Sequence, residues 1–197
     1  MTDSLLTSLS RQNQFNGLKH RKLNGMVRLA ASIGVMAIGG WLALDGYSPT
    51  SLAFGSATLA AVIALLWMSI NGWEFPAAVN WPWLTISALL GGLLLPLATV
   101  LAITGLSIGW ALVAVTALAI SRQLGAQLLL FRSTVAMVAW NLLIAAPASA
   151  LLFGQSLGHE TSLASDPLAL AGIAIAAVGL VLFWYQLWNA NRRLTAR

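Results

Sequence analysis

The sequence predicts an all-α integral membrane protein: six transmembrane helices forming three antiparallel hairpins, with both termini cytoplasmic. Three observations carry this prediction. Apolar residues make up 59% of the chain and charged residues only 8%, against about 25% charged in soluble domains. Phe75 to Ser121 contains no Asp, Glu, Lys or Arg, and a bilayer core of about 30 Å is crossed by roughly 20 apolar residues, so this stretch is about twice too long for one helix and must fold back. Threaded six times, the chain also places all ten Lys and Arg on one side.

Residues 1–25 form a basic arm. Leu5, Leu6, Leu9, Phe15, Leu18 and Leu23 recur only in part at helical spacing, and Asn13, Asn16 and Gly17 weaken a helix. With Lys19, His20, Arg21 and Lys22 behind them, they suit an interfacial segment on an anionic surface. No continuous apolar run with a small-residue cleavage site opens the chain, so no cleaved signal peptide is expected.

The transmembrane domain covers 26–188. Its first two spans, 26–44 and 52–70, flank Asp45 to Ser51, where Gly46 and Pro49 make a tight connection. Asn71 to Pro82 is aromatic and proline-punctuated, as suits the headgroup level. The central charge-free stretch supplies spans 83–103 and 108–120, turning at Thr104 to Ser107. The second of these is short, and needs extension or a thinned bilayer. Arg122 to Arg132 is expected as a loop or interfacial turn. Spans 133–153 and 167–188 follow, joined by a polar loop with His159, Glu160 and Asp166, and 189–197 is a basic cytoplasmic tail.

Charge tests the topology, because Lys and Arg near span ends stay cytoplasmic. Arg11, Lys19, Arg21, Lys22, Arg28, Arg122, Arg132, Arg192, Arg193 and Arg197 all fall on one side; the other side carries only Asp45, Glu160 and Asp166 as charges. Orientation thus accounts for the net charge of +5 without a nucleic-acid partner. The expected location is the plasma (inner) membrane of a bacterium, an internal energy-transducing membrane being the alternative.

The first hairpin runs Arg28-Leu29, Ser32-Ile33-Gly34-Val35, Gly39-Gly40-Trp41-Leu42-Ala43-Leu44, then Ser48-Pro49-Thr50-Ser51-Leu52-Ala53 into a second apolar helix. This pattern resembles the repeat of HdeD-like membrane proteins. The resemblance covers residues 26–70; the second hairpin lacks the proline turn and the third has a longer polar loop. It implies a six-span fold and a role in acid-stress resistance, and it carries over no catalytic residue.

Candidate residues follow from the cost of polarity in hydrocarbon. Trp140 and Asn141 are the best interior polar pair, as glue between helices or as a ligand or proton-path contact. Pro96 and Pro147 interrupt their spans, and kinks at matching depth would frame a cavity. Small residues that let helices approach are Ala30 and Gly34 in the first span and Gly172, Ala176 and Gly179 in the sixth. Lys19, Arg21, Lys22, Arg28, Arg122, Arg132, Arg192 and Arg193 read as cytoplasmic anchors. A pair between Glu74 and Arg122 or Arg132 would pin two loops together. Of the nine tryptophans, Trp67, Trp73, Trp81, Trp83, Trp184 and Trp188 fit an aromatic belt at the cytoplasmic face, Trp41 and Trp110 one at the other, and Trp140 is expected to be deep.

Catalytic signatures are lacking. There is no cysteine, and His20 and His159 both lie in polar segments, so no metal or haem site is expected in the membrane. Gly105 to Gly109 matches GxSxG without the strand, turn and His base that a nucleophile elbow needs. No cofactor is predicted, and bound lipid, a hydrophobic pigment or a quinone is left open. The expected role is a non-catalytic accessory, assembly or scaffolding subunit of a larger membrane complex, in contact with the lipid bilayer and with other membrane subunits or itself. The alternative is a small-molecule transporter, or the membrane substrate-binding subunit of one, with a pocket near Trp140, Asn141, Pro96 and Pro147.

Overall fold

The computed structural model describes residues 24–44, 46–105, 107–127, 133–158 and 166–195, without the side chains of 125–127 and 191–195. These residues form helices and short connections, with no strand among them. The helices are α1 (Asn24–Leu44), α2 (Pro49–Asn71), α3 (Ala78–Ile103), α4 (Ile108–Gln127), α5 (Thr134–Leu157) and α6 (Pro167–Thr195). Five are long and apolar enough to cross a membrane, and the apolar part of α4, Ile108–Leu124, is shorter. The chain is a multi-pass α-helical membrane protein. Most of the basic arm, including Lys19, Arg21 and Lys22, lies outside the described residues, as does Arg132.

Helix starts are set locally. Ser48 caps α2, its Oγ accepting from Ser51 N at 3.2 Å, and Pro49 occupies the first turn, where its missing N–H has no helical partner to lose. Ser133 caps α5 the same way, accepting from Ala136 N at 3.0 Å. Asp166 precedes Pro167 and accepts from Leu168 N at 2.9 Å. Gly72 and Gly105 take positive φ, of 94° and 76°, where a side chain would be strained, and so end α2 and turn the chain between α3 and α4.

Two boundaries differ from expectation. Arg122 to Gln127 continues α4 instead of forming a loop, and α6 runs on to Thr195 through most of the expected tail. The physical reason is shared. Arg, Gln, Leu and Ala are good helix formers, and Arg at a membrane surface extends its charge into water, so loss of hydrophobicity ends a span without ending its helix.

The main pairings join helices far apart in sequence as well as the neighbours α3 and α4. The most extensive is α2 against α5, where Gly55 lies under the Phe153 ring and Thr58 Oγ1 donates to Ser149 Oγ at 3.1 Å. α2 also packs on α6 and α3, and its first residues, Ser51 to Ala57, are buried without interruption. α3 and α4 pack as sequence neighbours.

α1 meets α6 backbone to backbone. A Cβ on Gly172 would stand 2.6 Å from Ala43 N and 2.7 Å from Gly39 O, one on Gly39 would strike Ala176 N, and one on Gly179 would stand 2.7 Å from Met36 N. The sequence of contacts runs antiparallel: Met36 with Gly179, then Gly39 and Ala43 with Gly172. Ala30 is exposed and a Cβ on Gly34 would meet nothing within 4 Å, so this contact uses the later small residues of α1.

Replacing Gly172 with Leu forces a branched side chain into that backbone contact, an overpacking that costs about 1–3 kcal/mol or more. The thermal unfolding midpoint in detergent is expected to fall clearly for Gly172→Leu and to stay unchanged within error for Gly34→Ala.

Candidate functional site

Pro96 has no N–H, and its ring crowds the turn before it. α3 adapts upstream: Leu89–Leu94 is wound as a π-helix, and Leu95 N donates to Leu90 O, five residues back. Such wide turns inside α-helices occur frequently at functional sites. This one carries Gly91 and Gly92, both buried.

Four helices converge there. A Cβ on Gly91 would collide with Trp184 Cζ2, and would stand 2.5 Å from its Cη2 and 2.8 Å from Ser121 Oγ; one on Gly92 would stand 2.7 Å from Ala145 Cβ and 3.1 Å from Asn141 O. One turn earlier, the Ser87 and Ser121 hydroxyls pair at 3.1 Å, and Ser121 Oγ also lies 3.2 Å from Ser87 O as a donor. Both serines are fully buried.

Not all the polarity here is matched inside the protein. Asn141 Nδ2 donates to Met137 O, one turn back on its own helix, at 3.3 Å, while Asn141 Oδ1 has no partner. The indole N–H groups of Trp184 and Trp188 are buried and also without partners, as is Asn80 Nδ2. The two rings stack with centroids 5.9 Å apart.

The four residues expected to frame a pocket do not come together. Asn141 is 1% exposed and Pro96 is buried, but Pro147 is exposed. Trp140 follows its own course. Its Nε1 donates to Glu74 O at 2.7 Å, and its ring lies 5.4 Å from those of Phe75 and Trp81. It therefore belongs to the connection between α2 and α3, not to the depth of the bundle. Neighbours in a helix point about 100° apart, so Trp140 and Asn141 face different surroundings.

The deep tryptophan is instead Trp184, 1% exposed, with Trp188 at 3%. The sequence alone places both in the aromatic belt near the cytoplasmic face. α6 continues past that point, and Trp184 shares a buried face with Ala177, Leu180, Val181 and Trp188. Their spacing of three to four residues is the sequence signal for this face.

The Glu74 carboxylate accepts from Ser133 N at 3.0 Å. With Ser133 capping α5 and Trp140 bound to the Glu74 carbonyl, the chain between α2 and α3 is tied to the first turns of α5. Arg132, one suggested partner of Glu74, is outside the described residues; Arg122 is exposed on the last turns of α4, and Arg28 is exposed at the start of α1. Arg192 and Arg193 lie on the last turn of α6, their side chains outside the described residues.

Among the described residues no group of three or more His, Asp or Glu could hold a metal. The chemistry available at the π-turn is hydrogen bonding by hydroxyls, an amide and indoles, none of which ionises at neutral pH. No protein-family model matches the chain, and neither a curated protein nor a solved structure does so.

Trp140→Phe keeps the ring contacts and removes the bond to Glu74 O, a loss of about 0.5–1.5 kcal/mol. Hydrogen exchange read by mass spectrometry is expected to speed up in the peptide covering residues 72–80, and Trp184→Phe is expected to leave that peptide unchanged.

Proposed function

We propose that this is a non-catalytic multi-pass membrane protein, an accessory, assembly or scaffolding subunit of a larger membrane complex that acts through helix contacts. One observation carries the reading: among the described residues the buried polar side chains other than Tyr47 and the indoles are Ser, Thr and Asn, with no acid, Lys, Arg or His. An interior of that kind can position helices and cannot run acid–base or metal chemistry. A relationship to HdeD-like proteins is part of the same proposal.

The proposal includes an orientation. Six crossings form three antiparallel hairpins in a bacterial plasma membrane, with both chain ends, the 72–77 connection and the end of α4 in the cytoplasm. The partition of Lys and Arg supports this. The chain has no cysteine, so single substitutions can be labelled without background. Ser107→Cys and Gln155→Cys are expected to react with an impermeant maleimide on intact cells, and Ala77→Cys and Gln123→Cys only after permeabilisation; the opposite pattern would reverse the orientation.

A second reading is favoured by the unpartnered atoms around the π-turn: a small-molecule transporter, or the membrane substrate-binding subunit of one. Its site would centre on Gly91, Asn141 and Trp184 rather than on Trp140 and Pro147. Native mass spectrometry after mild detergent extraction separates the two. Stoichiometric co-purification of other membrane chains is the expected outcome. A lone chain carrying a small polar molecule would sink the subunit reading in favour of transport.

A further inference from the structure

We propose that the half of the bundle between the π-turn and the 72–81 connection holds a neutral oxygen acceptor supplied from outside the chain, hydrogen-bonded by the Trp184 indole beside Gly91. The inference stands under either reading of the protein's role.

An indole N–H can only donate, so unlike an amide its polarity has no alternative assignment. Trp184 and Trp188 are 1% and 3% exposed, and neither N–H meets an acceptor among the described residues. A buried donor left unmatched costs more than an ordinary hydrogen bond gains, and native structures rarely leave one. Hydrocarbon tails offer no acceptor. Whatever satisfies Trp184 therefore comes from outside the described residues and reaches the interior.

The unmatched atoms are also all in one half of the molecule. Asn80 sits at the start of α3, Asn141 two turns into α5, and Trp184 and Trp188 in the later half of α6, the ends that meet at the 72–81 connection. In the other half the described hydroxyls find partners in the chain: Thr58 bonds Phe54 O and Ser149, Ser56 bonds Ala53 O and Ser149 bonds Ala146 O.

The chemistry limits the occupant. No acid or base among the described residues is buried nearby to hold an ion, so the occupant is neutral. It is small, since the Trp184 ring already fills the space that a side chain at Gly91 would take. It accepts from indole, and if it also donates it can serve Asn141 Oδ1. Water does both, and the carbonyl of a small amphiphile does the first.

The test uses the full chain in nanodiscs of phosphatidylethanolamine and phosphatidylglycerol, with 15N-labelled tryptophan. Trp184 is assigned through its bond to Tyr185, the only Trp-Tyr pair in the sequence, so no variant has to fold. The expected result is magnetisation transfer from water to the Trp184 indole proton, and replacement of that proton by deuterium within hours, which identifies water. A hydrogen-bonded indole shift without water transfer, moving when ester lipids are exchanged for carbonyl-free ether lipids, identifies a carbonyl oxygen and equally supports the proposal. A Trp184 resonance at the position of a free indole, without water transfer, overturns it.

Discussion

Inside a bilayer, burying an apolar side chain against another gains little, because lipid tails are as apolar as leucine. What remains is close contact between backbones and the matching of polar groups, and this constraint explains the arrangement of the bundle. α1 and α6 meet where Gly39, Ala43, Gly172 and Ala176 remove side-chain bulk from both partners. α2 and α5 meet where Gly55 admits the Phe153 ring and two hydroxyls bond across the interface. Large aliphatic residues are found on the outer surface as well as in the core, as the exposed Ile108, Leu112 and Val115 of α4 illustrate.

The same constraint makes Pro96 consequential. A proline within a membrane helix must have its freed carbonyl answered by a neighbour or by a change of winding. Here the winding changes, and the wide turn coincides with two glycines, so α4, α5 and α6 can all close on α3 at one level. The serine pair, the asparagine and the buried indoles gather around that level. A packing problem and a polar cluster thus share one origin.

Much of this architecture was legible in the sequence, and the parts that were not have physical reasons. Helix number and approximate limits follow from apolar run length against bilayer thickness. The ends of α4 and α6 did not, because charge leaves the hydrocarbon before the helix stops. Gly172, Ala176 and Gly179 stood out by spacing on α6, but α1 offered several small residues, and only the tilt and rotation of the two helices select Gly39 and Ala43 over Ala30 and Gly34. Trp140 and Trp184 exchanged roles for a related reason. Depth along a helix is readable from sequence, whereas the direction a ring faces depends on partners from other helices. The π-turn left its trace in Gly91, Gly92 and Pro96, of which only the proline signals a change of winding by itself.

The contact between α1 and α6 joins the first described helix to the last. During synthesis the glycine face of α1 has no partner until nearly the whole chain has left the ribosome, and through that interval it is open to lipid, to chaperones or to another subunit with a similar face. A chain broken off after α5 would also lack the packing of α6 on α2, α4 and α5, and would display that seam. Arrival of α6 is therefore marked on the membrane-embedded surface, where insertion machinery or a membrane protease could distinguish molecules that have it from those that do not.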